Sequence, residues 1–114
     1  MVNIDTKTED GITTLEINGE VDASSSIQLD ESLGNVINSG VGKILVNCKQ
    51  LNYISSAGLG VFMSYIDEVN SKNIKMAIFG LNEKVQNVFD ILGLDQLLSI
   101  VSTKTEALTL INEE

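Results

Sequence analysis

Ser55 and Ser56 stand side by side between an apolar run, Lys43 to Cys48, and a stretch of helical periodicity, with Gly58 and Gly60 directly after them. A hydroxyl at the start of a helix has two chemical uses. It accepts a free backbone amide as an N-cap, or it stands exposed as a phosphoryl acceptor near the positive end of the helix dipole. Each interior glycine costs roughly 1 kcal/mol relative to alanine. Gly58 and Gly60 therefore point to a close backbone approach or to a surface kept clear of side chains. A strand, a glycine-containing loop and a helix also describe phosphate-binding loops. Here the segment lacks both the Gly-x-x-x-x-Gly-Lys-Ser/Thr spacing and the Gly-x-Gly-x-x-Gly fingerprint, which leaves a nucleotide-binding module as a minor alternative.

Little else in the chain can do chemistry. There is no histidine, one cysteine, and the carboxylates are scattered singly or in adjacent pairs, so neither a Ser-His-Asp or Cys-His constellation nor a usual transition-metal ligand set can be built. No catalytic residue, metal or cofactor is expected, and the protein is not expected to be an enzyme. Cys48 ends an apolar run and reads as a small buried hydrophobe. The formal charge is −9, with all seven basic residues lysine. That balance opposes binding to nucleic acid or an anionic membrane surface and favours a basic partner. The amino terminus shows no signal pattern and no stretch approaches the ~20 apolar residues of a membrane helix, which places the expected home in the cytoplasm.

The elements that must position the serines follow from periodicity. Thr13, Leu15 and Ile17 alternate with Thr14, Glu16 and Asn18, the pattern of a half-buried strand ending at Gly19, with Val2 to Thr6 pairing beside it. Leu29, Leu33, Val36 and Ile37 fall on one helical face, with Asp22 or Ser24 as cap and Ser39-Gly40 as stop. Lys43 to Cys48 is a continuous apolar run, as in a strand covered on both faces. Leu59, Phe62, Met63, Ile66 and Val69 predict a second helix from Ser55 or Ser56 to about Lys72. Val61 falls off that stripe and reads as a surface contact. Lys75 to Phe79 is another buried strand. Asn82 caps a third helix carrying Val85, Val88, Phe89 and Leu92, which Gly93 ends. A short strand, Ser99 to Val101, precedes Thr103-Lys-Thr-Glu106, whose spacing is that of a capping box. With 43% apolar residues spread over 114 positions, the chain can bury one core, and residues 1–114 read as one domain. Strands alternating with helices predict an α/β fold with a mostly parallel central sheet and flanking helices.

Tyr53-Ile-Ser-Ser-Ala-Gly-Leu-Gly-Val-Phe62 resembles the phosphorylation loop of the STAS family, in which Asp-Ser-Ser/Thr-Gly-Leu is common. Gly19-Glu-Val-Asp22 resembles the family's earlier Gly-Glu-Leu/Val-Asp segment, and the order of elements agrees from about Val2 to Ile111. The resemblance implies a STAS-like α/β domain without enzymatic activity. It implies an anti-sigma factor antagonist of a bacterial partner-switching system. Such a protein binds an anti-sigma factor that is also a serine kinase, is released by phosphorylation, and has a serine phosphatase as a further partner. By the family register Ser56 is the phosphorylated residue. Asp22, Ser55, Ala57, Gly58, Leu59, Gly60 and Val61 are then the partner-binding residues. Ser55 occupies the place of the usual acidic residue and Ala57 that of the following Ser/Thr. The resemblance is also compatible with an unphosphorylated STAS scaffold in another signalling complex.

Overall fold

A computed structural model describes residues 2–113. The chain opens with an antiparallel hairpin, β1 (Val2–Glu9) and β2 (Ile12–Val21), paired from Val2 opposite Gly19 to Glu9 opposite Ile12. Its two-residue loop has positive φ at both Asp10 (53°) and Gly11 (79°). This is the primed geometry that matches strand twist and that an Asp-Gly pair supplies at low cost. The pairing runs three residues beyond the expected Thr6 because this turn fixes the register from the far end.

After α1 (Ser26–Ile37) the chain alternates β3 (Lys43–Asn47), β4 (Leu51–Ile54), α2 (Ser56–Ser71), β5 (Lys75–Phe79), α3 (Glu83–Ile91), a 3-10 turn (Leu94–Gln96), β6 (Ser99–Val101) and α4 (Lys104–Ile111). The main sheet order is β1-β2-β3-β5-β6, and every pair except β1 with β2 is parallel. The mostly parallel α/β sheet is therefore as expected. β4 was not expected: it lies within the stretch read as a loop. It pairs in parallel with the far half of β2, Gly19 to Val21, beyond the part that β3 occupies. Only Leu51 and Ile54 of it are buried. The four residues thus show no alternation to betray a strand.

Apolar side chains from α1, α2 and α3 pack on one sheet face, where Leu29, Leu33, Leu59, Phe62, Val85 and Phe89 meet Leu15, Ile17, Ile44, Val46 and Ile78. The rings of Phe62 and Phe89 lie 5.9 Å apart, tilted by 58°. Each such side chain contributes roughly 1.5–3 kcal/mol through burial. The opposite face of β3 and β5 is covered by α4, where Ala107 and Ile111 sit on Leu45, Ala77 and Phe79. That double coverage is why Ile44, Leu45 and Val46 are all buried in sequence. Cys48 is fully buried, and burial pushes its thiol pKa up to about 12. Leu92, expected on the apolar stripe of α3, is exposed. It is the C-cap of that helix, and Gly93 in the left-handed region turns the chain away before Leu92 can reach the core.

Candidate functional site

The two serines have different positions at the start of α2. Ser55 is the extended N-cap residue, half-buried, and its side-chain oxygen accepts the Gly58 amide at 3.2 Å. Its own amide donates to the Val21 carbonyl at 2.8 Å, and its carbonyl takes the Leu59 amide at 3.0 Å. Ser56 is the first helical residue and is exposed. Ser55 is thus committed to the fold, while the Ser56 hydroxyl faces solvent. The first turn of α2 carries no acidic side chain to offset the helix dipole.

Ser55's bond to Val21 also places Asp22 at the site. Asp22 follows Val21 directly, so it leaves the end of β2 beside the point where the chain leaves β4 to enter α2. The turn that holds Asp22 is reciprocal. Its Oδ1 accepts the Ser25 amide at 2.8 Å and the hydroxyls of Ser24 and Ser25 at 2.9 Å each, and the Asp22 amide donates to the Ser25 oxygen at 2.8 Å. Asp22 therefore closes the turn that leads into α1, with Ser25 as the returning partner. The N-cap of α1 is Ser25, without a side-chain cap bond, and not the expected Asp22 or Ser24, because these bonds hold residues 22–25 as a separate turn ahead of the helix. These donors, the Ser25 amide first, lower the carboxyl pKa to about 2. The side chain is held in place and ionised at neutral pH.

The two glycines differ. A methyl group on Gly58 would lie 2.7 Å from Ile54 Cγ1 and 2.8 Å from Val21 Cγ1, so α2 rests on the ends of β2 and β4 at this residue. Around Gly60 a methyl would meet nothing within 4 Å. Gly60 lies one turn after Ser56 on the same helical face, and its missing side chain leaves open the surface next to the hydroxyl.

Of the residues expected to meet a partner, Asp22, Ser56 and Ala57 are exposed, and Ser55 and Gly60 are partly so. Gly58, Leu59 and Val61 are buried. For Val61 this corrects the expected surface role: it is only 9% exposed. The reason is that α2 is covered by α1 as well as by the sheet. One turn past Val61, Tyr65 lays its ring on Gly34 and donates its hydroxyl to the Asp30 carbonyl at 3.3 Å, which widens the buried arc. Three apolar side chains that periodicity did not single out for contact are exposed around the loop. They are Tyr53 on β4 (48%), Met63 on α2 (49%) and Ile27 on α1 (65%). Ile27 borders the same shallow depression as Asp22 and Ser24. Met63 lies seven residues from Ser56, on the same face of α2.

Residues 3–107 match the STAS domain family. The chain belongs to that family. A STAS relative in Staphylococcus aureus, the anti-sigma-B factor antagonist, is 29% identical over 99 residues, which span 87% of this chain and 92% of that protein. The crystal structure of an anti-sigma factor antagonist from Mycobacterium paratuberculosis superposes with a TM-score of 0.92 at 17% identity, over 99% of this chain and 96% of that one. The Bacillus cell fate determinant SpoIIAA in its phosphorylated form shares the STAS fold at a TM-score of 0.69 and 18% identity, covering 96% of this chain and 97% of its own. Among the described residues no helix is long and apolar enough to cross a membrane.

Proposed function

We propose that this STAS protein is an anti-sigma factor antagonist whose Ser56 is a phosphoryl acceptor. Unphosphorylated, it binds an anti-sigma factor that is also a serine kinase; phosphorylated, it is released, and a serine phosphatase resets it. One observation carries this reading: of two adjacent serines, Ser55 is consumed as the cap of α2 and Ser56 is exposed, on a segment that the Ser55 amide ties to Val21, the residue before an ordered Asp22. The names of its relatives support the antagonist role, and SpoIIAA supports the compatibility of this fold with a phosphate.

In the transfer, the Ser56 oxygen attacks the γ-phosphorus of ATP, the bond to ADP breaks, and the hydroxyl proton passes to a base. ATP, magnesium and base belong to the kinase. The product adds about −1.5 to −2 charges to the first turn of α2. There the amides of Ser56 and Ala57 are not used by the cap, and the dipole favours the anion by ~0.3–1 kcal/mol. The fold is retained. A partner packed over Tyr53, Met63 and Ile27 would have to desolvate that phosphate next to the Asp22 carboxylate, and affinity falls without rearrangement. The protein works in the cytoplasm, where such a kinase and its ATP are found.

The test is incubation with ATP and candidate serine kinases, followed by phosphopeptide mapping. Phosphate on Ser56 is expected. Phosphate on Ser55 alone, or on neither, would overturn the assignment in favour of an unphosphorylated scaffold.

A further inference from the structure

β1 is the outermost strand of the sheet, and among the described residues its outer edge pairs with nothing. It is eight residues long, and Asp5 to Glu9 are all exposed. Such an edge is a template for strand pairing unless something opposes it. Its side chains divide cleanly. Asp5, Lys7 and Glu9 border the open sheet face together with Ile12, Thr14 and Glu16 of β2. Ile4, Thr6 and Thr8 face α1, near Ser32 and Asn35.

We propose that β1 pairs edge to edge with β1 of a second copy of this chain, antiparallel, in the register that centres on Thr6. Symmetry, charge and the length of strand paired select that register. An antiparallel pair of identical strands is related by a two-fold axis normal to the sheet, which keeps each side chain on its own face. Only centres on a residue are then allowed, because a centre between residues would oppose side chains from different faces. Centring on Asp5 sets Asp5 against its own copy. Centring on Lys7 sets Lys7 against Lys7 and Asp5 against Glu9. Centring on Thr6 sets Asp5 against Lys7 twice, Asn3 against Glu9 and Ile4 against Thr8. Unlike charges directly opposite stabilise a strand pair, and like charges destabilise it. Centring on Thr8 also sets Lys7 against Glu9 twice, but it overlaps only Lys7 to Glu9 before the Asp10-Gly11 turn, whereas centring on Thr6 pairs Asn3 to Glu9. Charge thus opposes the Asp5 and Lys7 centres, and the length of strand paired favours Thr6 over Thr8. The axis reverses strand direction, so the two Ser56 sites point to opposite ends of a continuous twelve-stranded sheet, each open to its own kinase. This inference is independent of whether Ser56 is phosphorylated.

The experiment is sedimentation equilibrium at physiological ionic strength, which screens the −9 charge of each copy beyond ~8 Å. Wild type is expected to dimerise with concentration. Asp5→Lys or Lys7→Asp alone should weaken the dimer roughly tenfold, since each turns two attractive pairs repulsive. The double variant Asp5→Lys, Lys7→Asp restores unlike pairs and should recover wild-type association. It also lacks the in-chain Lys7–Glu9 ion pair, so recovery would not come from that contact. Register is read separately by oxidation: Thr6→Cys should cross-link to its own copy, and Asn3→Cys, which faces Glu9, should not. Wild type that stays monomeric at all concentrations would overturn the proposal. So would association indifferent to the charge reversals, or cross-linking of Thr6→Cys no faster than of Asn3→Cys.

Discussion

The Ser55 side-chain oxygen accepts the Gly58 amide at 3.2 Å, and this bond separates the tasks of two neighbouring serines. Ser55→Ala removes a cap and should cost ~0.5–2 kcal/mol in urea unfolding, while leaving Ser56 available to a kinase. Ser56→Ala removes a solvent-facing hydroxyl at the first helical position and should change stability by less than ~0.5 kcal/mol. Equal losses from the two variants would mean that both hydroxyls serve the helix.

Gly58 and Gly60 should respond oppositely to alanine. At Gly58 the new methyl must push buried Ile54 and Val21 aside, an overpacking cost of ~1–3 kcal/mol that exceeds the ~1 kcal/mol gained in helix propensity. At Gly60 only the gain remains, so melting temperature should rise. If Gly60 keeps the partner surface clear, that more stable variant will bind its partner more weakly. Calorimetric melting and a pull-down with the kinase read the two effects separately.

Asp22 should give stability an acid limb of its own. Its folded pKa, about 2, is lowered from the ordinary 3.8 by the Ser25 and Ser24 donors. The contribution is therefore complete above about pH 4 and lost as pH falls toward 2. A carbon-detected carboxyl titration should find the Asp22 midpoint near 2, and Ser25→Ala should raise it. A midpoint near 3.8 in the folded protein would mean that the turn does not hold the carboxylate in solution.

Cys48 provides a reporter of global unfolding. Burial holds its thiol neutral, with a pKa near 12, so at pH 8 a thiol reagent should label it only as fast as the protein opens. Labelling much faster than the unfolding rate would show that β3 frays on its own.

Where a local hydrogen bond decides the structure, sequence was a sufficient guide. Asn82 and Thr103 accept the amides of Val85 and Glu106, three residues on, as their types and spacing implied. Ser55 does the same for Gly58. Asp10-Gly11 was equally readable as a hairpin turn, and it would have extended β1 to Glu9. What escaped was set by partners distant in the chain. Val61 is buried in a core that α1 closes against α2, where Tyr65 meets Gly34, a packing that no period within α2 reveals. Leu51 to Ile54 becomes a strand because β3 leaves the end of β2 unpaired. The partner surface was misjudged for the same reason: helical phase pointed to Val61, whereas the packing of α1 and β4 exposes Ile27, Tyr53 and Met63.

The most direct test of the switch compares the affinity of one kinase partner for wild type, Ser56→Ala, Ser56→Asp and the protein phosphorylated on Ser56, with circular dichroism showing all four folded. Wild type and Ser56→Ala should bind alike. Ser56→Asp should weaken, since the interface must desolvate a carboxylate, and the phosphoprotein should lose roughly tenfold to hundredfold or more. Phosphoprotein that binds as tightly as Ser56→Ala would contradict the charge switch.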